Sequence, residues 1–473
     1  MRRSKIVCTL GPATDTEEKI RGLIEAGANV IRINRSHGTQ SEAAAAIAKV
    51  RNVAQDFDRP IAILVDLQGP KIRLGTFTNG FEILELGQDF TITTRDIPGD
   101  AKIVSTTFKG LPGDCHPDDI LLIDDGNVQV RVVKVTDTDV LTKVEVPGRV
   151  SDHKGLNLPG VAVSVPALTE KDTADLKWAL TQDIDFIALS FVRRAQDIED
   201  VHRVMDEVGH RLPVIAKIEK PQAVDNLPEI INAFDAIMVA RGDLGVEMPL
   251  EDVPTVQKRA IELARAGAKP VIVATQVLES MIVNARPTRA EASDCANAVW
   301  DGASAVMLSG ETAVGAYPVQ AVETMARIIE SAEEQGTRHF AKIRDIDLDW
   351  ESIIARHGIL IAEKTGAKYV ATFTDSGATA RQLSRLRPKI PLYAFCYHES
   401  VRRQLALVWG INSYPVTLRE RIYPMIHDAE ETVLRKGLAQ ENDVVVYVGG
   451  LPPGQAGHTN SIRVHHVGSK EDI

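Results

Sequence analysis

The chain has 473 residues, too many for one compact core, so length alone implies two to four domains. Hydrophobic residues make up 44% and charged residues 25%, an ordinary globular mix; 54 Lys+Arg against 65 Asp+Glu leave a net charge of -11 with no basic block, which excludes a nucleic-acid partner. No apolar run reaches the ~20 residues that span a bilayer, which excludes a membrane role. The opening MRRSKIVCTLGPAT breaks at Gly11-Pro12 and has no cleavage site, so it does not read as a secretion signal. Cys8, Cys115, Cys295 and Cys396 are scattered without a C-x-x-C pair, the usage expected of buried free thiols in a cytoplasmic protein.

In chain order, eight β-branched runs with polar or glycine-containing ends follow: KIVCTLG (5–11), NVIRINRSHG (29–38), AILVDLQG (62–69), DFIALSF (185–191), PVIAKIEK (213–220), AIMVARGD (236–243), PVIVATQV (270–277) and SAVMLSGE (304–311). Helix-like stretches such as TEEKIRGLIEAG and VPTVQKRAIELARAG separate most of them. Strand alternating with helix predicts parallel strands, and eight units predict a closed (β/α)8 barrel, with a doubly wound sheet as the alternative. Between Ile72 and about Val165 the pattern changes to alternating, turn-punctuated β, as in DDILLIDDGNVQVRVVKV, which predicts a small all-β insert after the third strand. A helix (VQAVETMARIIESAEEQ) and a charged connector (HFAKIRDIDLDWES) then lead to KYVATFT, IPLYAFCY, DVVVYVGG and SIRVHHV, a third domain of α/β type. The expected division is 1–71 with 165–340 for the barrel, 72–164 for the insert and 345–473 for the last domain.

On a strand, residues i, i+2 and i+4 share a face. Lys217 and Glu219 therefore point together at the carboxyl end of the fifth run, where a barrel builds its active site. Arg32, Asn34 and Ser36 share a face on the second run and Arg241 and Asp243 on the sixth, while Asp66 and Thr275 end the third and seventh. Each alone could be a rim ion pair or ordinary loop polarity. Charges gathered at five strand ends of one mouth instead predict a site for a metal and a phosphorylated anion, because buried charge is costly unless paired or bound. Asp15, Glu17 and Glu18 read as a helix start. His465 and His466 read as surface residues of a terminal strand.

The stretches KIVCTLGPAT, RINRSHG, DLQGPKIRLG, NLPG, IAKIEKP, MVARGDLGVE, ATQVLESMI, RPTRAEASD and DGASAVMLSGETAVGAYP make the chain resemble the pyruvate kinase family over essentially its whole length. The resemblance implies a (β/α)8 TIM barrel with an inserted small β-barrel lid and a C-terminal α/β regulatory domain. It implies phosphoryl transfer from phosphoenolpyruvate to ADP, giving pyruvate and ATP, the last step of glycolysis. By the same resemblance Glu219 and Asp243 hold Mg2+ or Mn2+, and Lys217 sits over the phosphoryl group. Arg32 and Arg73 hold phosphates, and Thr275 relays the proton to the enolate carbon. Backbone amides around Ala240, Arg241 and Gly242 take the substrate carboxylate, and His37 and Lys154 contact the nucleotide. Family members are usually homotetramers.

Two positions depart from the family pattern. Many members bind K+ at positions matching Asn34, Ser36, Asp66 and the carbonyl of Leu67, with a glutamate where this chain has Lys71. Lys71, with Leu67-Gln68 and Leu74, resembles the K+-independent branch, and a tethered ammonium could supply the charge of the ion. The second is Arg35, where phenylalanine is usual; alternation points it toward the helices or a subunit contact. TFTDSGATA (372–380) resembles the loop that binds a phosphorylated effector, AMP or a sugar phosphate, through Thr374, Ser376, Gly377 and Thr379; GGLPPGQAGHTNSIRV resembles a second effector loop. The arginine usual in the first loop is Ala378 here, so a plain structural turn stays open as an alternative. A metal-dependent aldolase would share the barrel and acidic pair but need neither lid nor Lys217. A silent scaffold would be expected to lack Lys217, Glu219, Asp243 or Thr275, and all four are present.

Overall fold

The computed structural model describes residues 2–161, 165–335, 343, 349–454 and 459–469. Eight strands close a parallel barrel in sequential order: Lys5–Thr9, Val30–Asn34, Ala62–Asp66, Phe186–Leu189, Val214–Ile218, Ala236–Ala240, Val271–Ala274 and Ala305–Leu308. Their runs are short, apolar and nearly continuous because both faces are covered, by helices outside and by the barrel interior within. The helices start where the sequence supplies caps. Thr39, Thr169 and Thr288 each accept from the backbone N–H three residues on, in reciprocal boxes with Glu42, Asp172 and Glu291. Glu17 and Glu18 do open a helix, Glu17–Ala26, behind the cap Thr16.

Between the third and fourth barrel strands, a six-stranded and a two-stranded sheet wrap one apolar core that includes Phe90, Val104, Leu121, Val130 and Val150. The last region carries a five-stranded sheet with four parallel strands and Ser461–His466 antiparallel at one edge. Sequence reading found four of these strands and missed Ile411–Pro415. That strand is the opposite edge, where Asn412, Ser413 and Pro415 are tolerated because one side needs no ladder partner. His465 is a correction: it is buried, its Nε2 2.8 Å from Glu430 Oε1, while His466 next to it is exposed. Adjacent strand residues face opposite ways, so the pair could not both be surface on a covered sheet. All four cysteines are buried free thiols. Most of the charged connector lies outside the described residues.

The C-terminal region docks on the amino end of the barrel, away from the mouth. Asp185, fully buried just before the fourth strand, accepts from Arg51 (2.6 Å) and from Arg403 of the short helix Glu399–Gln404 (2.7 Å). Lys5 at the start of the first strand donates to the carbonyl of Ile411, 2.8 Å away. No described helix is long and apolar enough to cross a membrane.

Candidate active site

The carboxyl ends of the strands converge on Lys217. Its Nζ lies 2.7 Å from Glu219 Oε1 and 3.5 Å from Asp66 Oδ1, and donates to Ser190 Oγ at 2.8 Å. Burial alone would depress the lysine's pKa; Asp66, then Glu219 and Asp243, outweigh it and hold the pKa above the ordinary value, so the ammonium stays charged. Burial pushes the Glu219 carboxyl up, and the like charge of Asp243 adds to that against the pull of Lys217. Glu219 Oε2 accepts from the Phe191 amide at 2.9 Å, and Oε1 faces the Lys217 ammonium at 2.7 Å as its half of a buried ion pair. Arg32 is equally committed: Nε donates to Asp66 Oδ2 at 2.7 Å and Nη1 to Thr9 Oγ1 at 3.1 Å.

The second acidic residue reaches the site differently from the sequence expectation. The sixth strand ends at Ala240, and Arg241 opens a helix, Arg241–Glu247. Residues i and i+2 of a helix point about 200° apart, so Arg241 and Asp243 separate. Asp243 lines the cleft between barrel and insert. Arg241 is held instead by Asp294 at 2.7 Å and by the Thr275 carbonyl at 2.9 Å. Of the two arginines expected at the mouth, Arg32 pairs with Asp66 and Arg241 with Asp294, so they do not share a partner. The Gly242 N–H donates to Thr275 Oγ1 at 2.7 Å, so in this state that amide of the expected carboxylate cradle is engaged. Thr275 holds a φ of 68°, a strained conformation for a β-branched residue, directly after its strand. Such strain is what a site needing one fixed hydroxyl direction would maintain.

The other expected residues divide by location. Asn34 Oδ1 accepts from the Ser36 amide, 3.1 Å, and the Leu67 carbonyl accepts from Ser190 Oγ, 2.8 Å. Lys71 forms no hydrogen bond or ion pair with Asn34, Ser36 or Asp66; it lines the cleft under the insert with Asp243 and Phe191. His37 is exposed and lines a cavity of about 700 Å3 with Pro12, Asn34, Thr39 and Glu42. Lys154 and Arg73 lie together on the insert, Lys154 bonded to Asp124 at 2.7 Å and Arg73 to the His153 carbonyl at 2.9 Å. Arg35 does turn to the helices: it is buried against Asp175 at 3.3 Å and lies over the Trp178 ring.

In the C-terminal region Thr374 Oγ1 accepts from the Gly377 amide at 2.8 Å, and Thr379 Oγ1 meets Thr459 Oγ1 at 2.7 Å. Ser376 is exposed, its carbonyl accepting from Arg381 at 3.1 Å. The effector-like loop is thus closed on itself here, and residues 455–458 of its companion lie outside the described ones. Sequence reading missed Ser190 and the Phe191 amide, as well as Ser309 and Glu311. Ser309 Oγ is buried with no hydrogen-bond partner among the described residues, and Glu311 accepts from the Ser309 amide at 2.7 Å. The strand-end rule could have found these two, since SGE closes the eighth run. Among the described residues no three His, Cys, Asp or Glu form a metal cage; a cation here would rest on two carboxylates and its own ligands.

Residues 1–322 match the family profile "Pyruvate kinase, barrel domain" and residues 352–465 match "Pyruvate kinase, alpha/beta domain". A pyruvate kinase of Mycobacterium intracellulare is 51% identical over 470 residues, covering 99% of each chain, and one of Corynebacterium glutamicum is 50% identical over 472 residues, covering 100% of this chain and 99% of its own. The crystal structure of a pyruvate kinase from Cryptosporidium parvum superposes with a TM-score of 0.92 at 33% identity, over 98% of this chain and 96% of that one. With a charged lysine held among carboxylates at a closed barrel's mouth, and this likeness along the whole length, the chain belongs to the pyruvate kinase family, phosphotransferases acting between phosphoenolpyruvate and ADP.

Proposed function

We propose that the chain performs this transfer with Mg2+ or Mn2+, and that Lys217 rides on the phosphoryl group in flight. The observation that carries the reading is the buried Lys217 at the barrel mouth, held in its charged form by Asp66, Glu219 and Asp243 and paired with Glu219 at 2.7 Å. Glu219 and Asp243 would hold the divalent cation: hard oxygen donors suit it, and a carboxyl raised by burial and by a like charge is one that a cation would relieve. When bound, the cation supplies charge neutralisation at the enolate oxygen and the phosphoryl group. As the bond from phosphorus to the enolate oxygen breaks and that to the terminal ADP oxygen forms, Lys217 offsets charge on the equatorial oxygens. Arg32, fixed by Asp66 and Thr9, holds the phosphate end, and the helix start at Ala240–Gly242 takes the carboxylate. Thr275 passes the proton to the enolate carbon. The nucleotide base lodges in the cavity beside His37, with Arg73 and Lys154 brought to its phosphates by the insert acting as a lid.

The division into barrel (1–71, 165–340), lid (72–164) and regulatory domain (345–473) is part of this reading, as are a cytoplasmic homotetramer and a phosphorylated activator at Thr374, Ser376, Gly377 and Thr379. In this reading K+ is not required, because Arg32 and Lys217 already meet the charge of Asp66. The test is phosphoenolpyruvate-dependent ATP formation from ADP and Mg2+, first free of K+ and then with K+ added. Full activity in both supports the reading. Activity only with K+ refutes K+ independence, and none in either refutes the transfer.

A further inference from the structure

Where the amino end of the barrel meets the C-terminal region, a crevice gathers positive charge that its neighbours do not balance. It lies between the end of the helix Val253–Ala266 and the helix Ala378–Arg385, and Arg265, Lys269, Arg381, Arg385 and Arg387 line it. No carboxylate is among the described residues that line it. The cations donate to neutral oxygens instead. Lys269 Nζ reaches the Phe234 carbonyl at 2.7 Å, Arg385 Nη1 the Ala266 carbonyl at 2.8 Å and Arg387 Nη2 the Gly302 carbonyl at 2.7 Å. Arg381 Nη1 donates to the Ser376 carbonyl at 3.1 Å, and the Arg387 guanidinium lies 4.6 Å from the centre of the Trp409 ring. The Nε groups of Arg385 and Arg387 are buried with no acceptor among the described residues. The acids that feel Lys269, Arg381, Arg385 and Arg387 do so only through space and are engaged elsewhere. Asp235 accepts from the Val214 amide at 2.9 Å, Glu333 from the Ser4 amide at 2.6 Å and Asp349 from the Ser352 amide at 2.7 Å.

We infer that this crevice binds one small inorganic anion of the size of chloride, clamped between the barrel and the C-terminal region. Buried charge is costly unless it is paired or bound. A guanidinium does not shed its proton to escape that cost, so compensation has to come from an anion. The Ala266 carbonyl ends its helix and brings roughly half a negative charge, far short of five cations. Burial pulls the Arg387 pKa well below its ordinary value, and the neighbouring charge of Arg265 adds to that, a strain that an anion would relieve. The space left among the side chains is about 10 Å3, room for one water-sized sphere. A monatomic anion fits it, whereas a phosphate group would have to push the walls apart. The two Nε–H groups without acceptors supply donors for such an ion, one from Arg385 at the end of its helix and one from Arg387 two residues on. Because barrel residues and C-terminal residues share the ion, its binding strengthens the docking of the two regions.

The test compares chloride with gluconate, an anion too large for the crevice, in thermal melts of the full chain at one ionic strength. Chloride is expected to raise the wild-type melting temperature by about 2 °C, the shift from a site held at roughly ten times its dissociation constant. Arg387→Met, or Lys269→Gln should the first fail to fold, is expected to lose that increment whatever its own starting temperature. Crystals grown with bromide in place of chloride locate the ion by anomalous scattering, expected within hydrogen-bonding distance of Arg385 Nε and Arg387 Nε. An equal chloride increment in wild type and variant would place the effect elsewhere on the molecule and overturn the inference. So would a wild type that melts alike in both salts; bromide in the crevice would then be an adventitious ion only. A gain from inorganic phosphate that chloride does not give would mean a larger site and refute the monatomic ion.

Discussion

Lys5 and Lys217 are both removed from water, and their surroundings push them in opposite directions. Burial, then the positive charges of Arg2 and Arg59, lower the Lys5 pKa from 10.5 to about 7. For Lys217 burial acts the same way, but three carboxylates reverse it. The contrast sets a pH dependence. Between about pH 7 and 10.5 the unfolded chain binds a proton at Lys5 that the folded chain does not, so stability rises with pH across that window; below pH 7 the full cost of the buried charge is present. Lys5→Met is therefore expected to stabilise the protein more at pH 6 than at pH 9. Urea denaturation at the two values checks this, and an equal gain at both would refute it.

At the scale of elements, the site depends on how strands end. The turn after the fourth strand is packed against Gly69, which holds a φ of 73°; a Cβ there would come within 2.6 Å of Phe191 Cδ2 and 2.8 Å of Ser190 Cβ. Gly69→Ala would thus meet both a left-handed backbone, costing about 1–2 kcal/mol, and a clash with the turn that grips Lys217 and Glu219. We expect turnover of phosphoenolpyruvate to fall at least about tenfold while circular dichroism stays native, because the displacement is local and the affected bonds are charge-assisted. Wild-type turnover would show that the turn tolerates the shift. The helix at Arg241 makes the same point from the other side: ending the sixth strand at Ala240 is what parts Asp243 from Arg241 and lets the arginine clamp Asp294.

Across the whole molecule, Asp185 joins two regions far apart in sequence, since Arg51 of the barrel and Arg403 of the C-terminal region share its carboxylate. Arg403→Ala is expected to cost about 2 kcal/mol, below the ~3–5 of stripping a buried charge of its sole partner, because Arg51 remains. Docking between the regions should weaken first, so calorimetry is expected to resolve two melting transitions in the variant. A single transition at the wild-type temperature would mean that the contact is energetically idle.

The sequence by itself determined the eight alternating strand and helix units, the all-β insert and the shared face of Lys217 and Glu219, because these follow from local periodicity, while pattern alone left a doubly wound sheet as the alternative to a closed barrel. Strands of period two and capped helices of period 3.6 are written in neighbouring residues. It could not place Arg241, because the strand stops at Ala240, three residues short of Asp243, and the helix that follows parts the two side chains. It could not see Ser190, since a lone serine in DFIALSF gains its meaning only from Leu67 and Lys217, which the barrel brings beside it. Nor could it bury His465, whose partner Glu430 lies on a helix that packs across the strand. Periodicity fixes which way a residue faces along its own element; what it faces is decided by closure of the barrel and docking of the third region, where distant residues supply the charges and acceptors.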